Sequence, residues 1–345
     1  MRVLIVVAAL LLVVPSVSSA DNWPNWRGPG QDGVAADGDY PVEWSNTKNV
    51  LWKFKLPGVG ASTPVVWGDR LFLTSGDEGK GPKEGQNAAL CFNREGKLLW
   101  KTLLNQERPG KNRAASGSNS SAVTDGKFVF VYFKSGDFAC LDNEGKIVWQ
   151  KNLQEIYGED TLWWDLGTSP VLTSKHVVVA CMQSGPSYLA AFDRATGKVV
   201  WKHDRDLGAP SEAAQSYSTP VVTTHAGREL LVVLGADYVT THDAASGKEI
   251  WRAEIWRAGG VNNPKRNYFR SIAGPAILDG VVVAPYARGA TVHGIRLGGE
   301  GDVSRSHVSW IKNGVGADVP TPVVKDGKAY FCHDRGEVMC LEVRT

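Results

Sequence analysis

Residues 142–149 read DNEGKIVW, and close variants recur as NREGKLLW at 93–100, DRATGKVVW at 193–201 and DAASGKEIW at 243–251. Each phrase is a polar turn carrying Gly-Lys, two further residues and a tryptophan. Trp52 in NVLWKFKLP and Trp310 in HVSWIKNG take the same place without the turn. The six tryptophans, Trp52, Trp100, Trp149, Trp201, Trp251 and Trp310, follow one another at intervals of 48, 49, 52, 50 and 59 residues. A fixed period of about 50 residues marks a repeat architecture.

A second pattern fills the space between the tryptophans. STPVVWGDRLFLTS begins at Ser62, SSAVTDGKFVFVYF at Ser120 and TSPVLTSKHVVVA at Thr168. STPVVTTHAGRELLVVL begins at Ser218, AGPAILDGVVVAPY at Ala273 and PTPVVKDGKAYFCH at Pro320. Each is an apolar run, a polar turn and a second apolar run, which is a hairpin pattern. A third run such as YLAAFD and the fourth run ending at Trp complete a unit of four short strands. Such a sheet has two apolar faces and cannot bury both alone. Repeated sheets solve this by stacking around an axis, so the period predicts an all-β fold, a β-propeller of four-stranded antiparallel blades. A tryptophan on the outermost strand covers the widening gap between wedge-shaped blades. Burying one removes roughly 150–250 Å² from water, worth at most about 4–6 kcal/mol. A β-sandwich would have no need for Trp and Gly-Lys at a constant period.

Six blade units are visible. The last stops at VMCLEVRT, short of its fourth strand, while NVLWKFKLP is a fourth strand without the first three. Pairing the two would complete the last blade and remove two exposed strand edges.

The chain has 345 residues, 43% of them hydrophobic, with 38 Lys+Arg against 36 Asp+Glu. A net charge of +2 excludes a nucleic-acid binder that works through bulk positive charge, and the apolar content excludes a disordered polymer. Arg2, the apolar run Val3–Val14 and Ser18-Ser19-Ala20 form an export leader cleaved after residue 20, too short for a membrane span. The expected organisation is a leader over 1–20, an extension over 21–43 and the propeller over 44–345. The mature chain is expected in the periplasm or outside the cell, soluble and without a transmembrane span. The first cysteine is Cys91, so a lipid-bearing cysteine at the mature start is not expected. The five cysteines (Cys91, Cys140, Cys181, Cys332 and Cys340) read as small buried hydrophobes, with a Cys332–Cys340 disulfide as a second reading.

The phrases AAFDRATGKVVW and TTHDAASGKEIW resemble the tryptophan-docking repeat of pyrroloquinoline-quinone (PQQ)-like propellers. The opening from NWPNWRGPGQDGV through STPVVWGDRLFLTS is similar to a group of exported PQQ-like repeat proteins of planctomycete-type bacteria. The likeness spans about residues 22–345. It implies a propeller of about eight blades, so six units would be part of a larger ring. Family members include quinoprotein dehydrogenases and non-enzymatic propellers such as the lipoprotein that assists outer-membrane protein assembly. The adjacent-cysteine pair and haem C-x-x-C-H of the quinone enzymes do not occur here.

No nucleophile elbow, phosphate loop or dinucleotide fingerprint is present, and no two histidines stand at metal-ligand spacing within one element. No metal site is expected. PQQ with calcium would need a carboxylate and an amide oxygen from different blades. The innermost strand of each blade should begin near one mouth of the channel. Five positions before the shared Pro stand Val59, Gly117, Asp165, Gln215, Arg270 and Ala317, and two positions further on stand Ala61, Asn119, Gly167, Tyr217, Ile272 and Val319. Asp165, Gln215, Tyr217, Arg270 and Asn119 are therefore candidate ligand-binding residues. Trp163 and Trp164 could stack on a planar ligand, and Arg266 could pair with a carboxylate. The alternative is that Asp165 and Arg270 bond to each other and to backbone around water.

The leading expectation is a binding or scaffold module for protein or cell-envelope partners, with no required cofactor and a small channel ligand as an option. The alternatives are a PQQ-dependent alcohol or sugar oxidoreductase with Asp165 as base, and a glycan-binding propeller.

Overall fold

A computed structural model describes residues 22–79, 85–111, 116–256 and 269–344. The expected leader and Arg266 lie outside the described residues. The sheets follow the repeat. Blade 1 comprises Val65–Trp67, Arg70–Asp77, Gln86–Asn93 and Leu98–Gln106. Blade 2 comprises Val123–Thr124, Phe128–Tyr132, Asp137–Asp142 and Ile147–Asn152. Blade 3 runs through Val171–Leu172, His176–Cys181, Tyr188–Asp193 and Val199–Asp204. Blade 4 runs through Val221–His225, Arg228–Gly235, Tyr238–Asp243 and Glu249–Glu254. Ala276–Leu278, Val281–Tyr286, Thr291–Arg296 and Val308–Asn313 make blade 5, and Val323–Lys325, Lys328–Cys332 and Val338–Glu342 make blade 6. Within each blade, consecutive strands pair antiparallel.

The core is a set of layers between blades. Phe72 and Cys91 of blade 1 meet Val129 and Leu141 of blade 2, and Phe130 and Phe138 of blade 2 meet Val177 and Phe192 of blade 3. Val178 and Leu189 meet Leu231 and Val233, Val232 and Trp251 meet Val282 and Ile295, and Val283 and Val292 meet Phe331 and Val343. Blades 1 to 5 thus bury side chains from alternating positions of their inner strands on both faces, as period-two strands require, while blade 6 buries one face and leaves Tyr330, Cys332, Val338 and Cys340 exposed on the other.

At the rim, tryptophans sit on glycines. A β-carbon on Gly197 would come within 2.6 Å of the Trp149 indole, and one on Gly145 within 2.5 Å of Trp100. Trp201 covers Gly247, and Trp52 covers Gly96. Each glycine belongs to the Gly-Lys turn of the next blade and holds φ between +65° and +81°. Three of these indoles donate to that turn: Trp52 to the Arg94 carbonyl at 2.7 Å, Trp100 to Asn143 at 2.9 Å and Trp149 to Arg194 at 2.9 Å, while the buried Trp201 indole N–H has no partner among the described residues. Trp251 departs from this pattern. Blade 5 offers it Gly301–Asp302, which pairs in parallel with Trp251 and Arg252, and the extra residues there account for the 59-residue interval. Cys91 pairs with Trp100 and Cys140 with Trp149, and both thiols are fully buried. Cys332 and Cys340 are free and exposed, so the disulfide is not formed and Cys340 is not a core residue.

At the hub, hydroxyls link the blades. The backbone N–H before the shared Pro donates to the equivalent hydroxyl of the next blade: Thr63 to Ser121 at 2.9 Å, Ser121 to Ser169 at 3.0 Å and Ser169 to Thr219 at 2.9 Å. Gly274 offers no hydroxyl to Thr219, and the chain resumes with Gly274 N–H to Thr321 at 2.8 Å.

The closure expected from the chain ends is corrected. Blade 6 has three strands, and residues 49–56 form no strand in any sheet. They lie instead against blade 1, where Trp52 and Phe54 pack on Phe92. Side-chain burial on the open face of blade 1, rather than backbone pairing with blade 6, fixes this segment. The preceding extension ties the blades together. Trp23 pairs with Val66 of blade 1, Pro24 accepts from Thr124 of blade 2, and Gln31 exchanges two bonds with Val222 of blade 4. The buried Arg27 guanidinium donates to Pro322 of blade 6 at 2.6 Å.

One register slot distinguishes blade 4. Beside each rim bulge a residue of the third strand faces one of the fourth: Phe92 and Leu98, Leu141 and Ile147, Phe192 and Val199, Ile295 and Val308. In blade 4 this pair is His242 and Glu249. Blade 5 carries its own buried histidine: His293 accepts from the Trp256 N–H at 3.2 Å, and burial holds it down to about 4.

Two outcomes are expected from denaturation experiments. Gly197→Ala should cost clearly more than Gly227→Ala, because both have positive φ but only Gly197 faces an indole. Urea midpoints should give about 1 kcal/mol for backbone strain at Gly227 and a further 1–3 kcal/mol at Gly197 for overpacking. His293 should make acid costly. The unfolded chain takes a proton from about pH 6.5 downward while the native chain does so only near 4, so stability falls across that window. His293→Ala, matching Ala139 and Ala190 in blades 2 and 3, should shrink the stability difference between pH 7 and pH 5 by about 2 kcal/mol.

Candidate functional site

The residues three before the shared proline position or its equivalent, Ala122, are of mixed size and polarity, and the structure gathers all of them. Ala61, Asn119, Gly167, Tyr217, Ile272 and Val319 line a channel of about 320 Å³ together with Thr63, Ser121, Ser169, Thr219 and Thr321. Trp26 joins the lining from the extension, which packs at the far ends of the innermost strands. Asn119 uses its carbonyl to hold the Ser116 hydroxyl at 2.9 Å.

The five-before positions form the mouth, and their polar groups are held by residues outside that set. Asp165 and Lys134 make a buried ion pair, each side chain 2% exposed. Both Asp165 oxygens also accept from the Lys111 N–H, at 3.0 and 2.9 Å. The Lys134 ammonium donates to the Pro109 carbonyl at 2.7 Å. Arg270 lies between Asp318 at 2.8 Å and Glu212 at 3.3 Å, and Arg288 reaches Glu212 at 3.0 Å. Burial raises the Asp318 carboxyl even with Arg270 beside it. Asp165 and Arg270 are therefore not paired with each other: each serves a separate charge network. Glu107, which the repeat did not single out, sits beside Gly117, and burial raises its carboxyl as well.

Gln215 and Tyr217 do come together with the tryptophans. The Gln215 carbonyl accepts from the Trp163 N–H at 2.9 Å, and the Tyr217 hydroxyl accepts from the Trp164 N–H at 3.1 Å. The Tyr217 hydroxyl also donates to Gln215 at 3.4 Å, and burial pushes it up to about 12. Leu162 on one side and Asp165 on the other are buried, while Trp163 and Trp164 are 51% and 46% exposed. The loop is thus fixed at both ends and along its backbone, and it presents two indoles to solvent.

The fit to a calcium-bound quinone is poor at Asp165. A calcium ion takes carboxylate oxygens, and here it would have to displace a buried ammonium and two backbone bonds. A third cluster lies away from the channel, at the rim seam of blades 3 and 4. His203, His242 and Glu249 place their ligand atoms within 4.8 Å of one another. No spacing within one element reveals it, because His203 belongs to the neighbouring blade. The signal was the pair His242 and Glu249 in slots that are apolar in blades 1, 2, 3 and 5.

The ion pair makes a sharp prediction. Asp165→Asn should leave Lys134 as an unpaired buried cation and cost about 3–5 kcal/mol, while the double change Asp165→Leu with Lys134→Met should recover most of it. Chemical denaturation of the three proteins measures both.

No curated protein matches this sequence. Among solved structures, the quinohemoprotein alcohol dehydrogenase of Comamonas testosteroni is similar, with a TM-score of 0.57 and 15% identity over 86% of this chain and 49% of its own. The chain thus spans about half the length of that protein, and the likeness concerns the fold. BamB of Moraxella catarrhalis aligns with a TM-score of 0.39 and 17% identity over 79% of each chain. Residues 84–345 match the model of a sequence family described as outer membrane protein assembly factor BamB, and the chain belongs to this family of PQQ-like β-propellers.

Proposed function

We propose that this chain is an exported binding module that engages a protein or cell-envelope partner through the channel mouth marked by Trp163 and Trp164. The observation that carries the reading is the combination of exposed indoles with a fixed backbone. Aromatic side chains held in place lose little conformational freedom on association, which is what binding hot spots require. The family description names an assembly factor, which supports a macromolecular partner over a small substrate. The engagement of Asp165 by Lys134 and of Arg270 by Glu212 and Asp318 supports it too, since neither is available as a base or an anion clamp without breaking a buried pair. Export rests on the leader pattern of Arg2, Val3–Val14 and Ala20. No described helix is long and apolar enough to cross a membrane.

A photo-crosslinking residue placed at position 163 or 164 in living cells should give one discrete adduct. The same residue at Val199 on the rim, 47% exposed, should not. In parallel, PQQ and calcium are titrated into the purified chain. No crosslink above the Val199 control, or stoichiometric quinone binding with dye reduction by alcohols or sugars, would overturn the proposal.

A further inference from the structure

The rim seam between blades 3 and 4 contains a polar inclusion that its counterparts lack. His242 and Glu249 replace an apolar pair that the corresponding slots of blades 1, 2, 3 and 5 retain. Arg205 likewise stands where blades 2 and 4 place Leu153 and Ile255, since all three donate their backbone N–H to equivalent carbonyls. Polar groups in such slots give up packing and hydration, so their meeting at one seam calls for a reason.

Their geometry supplies one. The ring of His203 from blade 3 meets that of His242 from blade 4 at 4.8 Å between centroids and 68° between planes. His242 is fully buried, and its Nδ1 lies 3.1 Å from the Gly247 carbonyl. A carbonyl only accepts, so Nδ1 carries the proton and Nε2 the lone pair. Nε2 now faces the Thr240 hydroxyl at 2.9 Å, and that oxygen in turn accepts from Arg205 at 2.9 Å. Glu249 is held by both arms of Arg252, at 2.6 and 3.0 Å. His203 and Glu249 are partly exposed, which leaves a path from solvent.

We propose that His203, His242 and Glu249 bind a borderline transition-metal dication of the zinc class. Two imidazoles and one carboxylate form a donor set suited to such ions, with a fourth position left for water. The Gly247 carbonyl behind His242 and the Arg252 fork behind Glu249 are the outer partners that orient metal ligands. The ligand atoms, now within 4.8 Å, would draw in to roughly 3.3 Å around a tetrahedral ion, and the Thr240 hydroxyl would turn aside. Arg205 and Arg252 oppose hard cations bound by charge alone, so calcium and magnesium are excluded, while imidazole donors retain copper and zinc. Because the ligands come from two blades, the ion staples the seam and stabilises the folded chain by mass action.

The test uses the untagged, metal-stripped chain and zinc alone as probe, with cobalt(II) as the spectroscopic substitute. Calorimetry should give one zinc per chain, thermal unfolding should shift upward with zinc, and cobalt should show the visible bands of a low-coordinate nitrogen–oxygen site. His203→Ala should weaken zinc binding at least tenfold. The pair His242→Phe with Glu249→Val, which restores the residues of blade 3, should abolish it while the apo chain stays folded. His225→Ala, on the first strand of blade 4, should leave it unchanged. Calcium should give no shift. Absence of stoichiometric zinc binding, or zinc binding retained in both seam variants, would overturn the site.

Discussion

The structure depends on covering the two apolar faces of each four-stranded sheet. A single blade has nothing to bury them against, and stacking is the only solution available to a row of equal units. Wedge-shaped units leave a gap that widens with distance from the axis. The indole placed on a positive-φ glycine closes that gap with the largest side chain and the smallest backbone unit. The contact needs both partners, because a β-carbon on the turn would occupy the space of the ring. It also needs the left-handed conformation that the tight turn imposes. This is why tryptophan and Gly-Lys travel together through the sequence.

The same constraint acts with opposite sign at the hub, where strands converge and space is scarce. There the chain uses serine, threonine and glycine, and it converts one backbone donor per blade into a link to the next. The break at Gly274 shows the cost of losing one hydroxyl: the seam between blades 4 and 5 has no such link and is reinforced at the rim by the parallel strand beside Trp251. The extension that carries Arg27 and Gln31 ties non-adjacent blades from the end opposite the tryptophan mouth. Hub, rim and extension thus restrain the blades at the axis, at the periphery and across the far ends of the innermost strands, and the channel lining follows from the first of them.

Charged residues near the mouth are mostly structural. Lys134 with Asp165, and Arg270 with Glu212 and Asp318, neutralise one another where solvent is scarce, and the first pair anchors the segment that carries the two exposed indoles. A buried pair of this kind adds little net stability but penalises any arrangement in which one partner is lost. The backbone beneath the two exposed indoles is thereby held on both sides. The polar inclusion at the seam of blades 3 and 4 is a separate matter, since it interrupts a layer that is apolar in its counterparts.

The sequence by itself determined the period, the blade as unit and the six channel-lining positions from Ala61 to Val319, because strand alternation and turn chemistry are local and repeat. It also placed Gln215, Tyr217, Trp163 and Trp164 on one mouth. Only the tertiary structure decided that Asp165 belongs to Lys134, that residues 49–56 rest on blade 1, and that His203 meets His242. Those outcomes turn on contacts between residues far apart in the chain. Which of several equally placed charges a carboxylate selects, and which open face a free segment covers, is settled by packing distance and desolvation, and neither leaves a periodic mark in the amino-acid order.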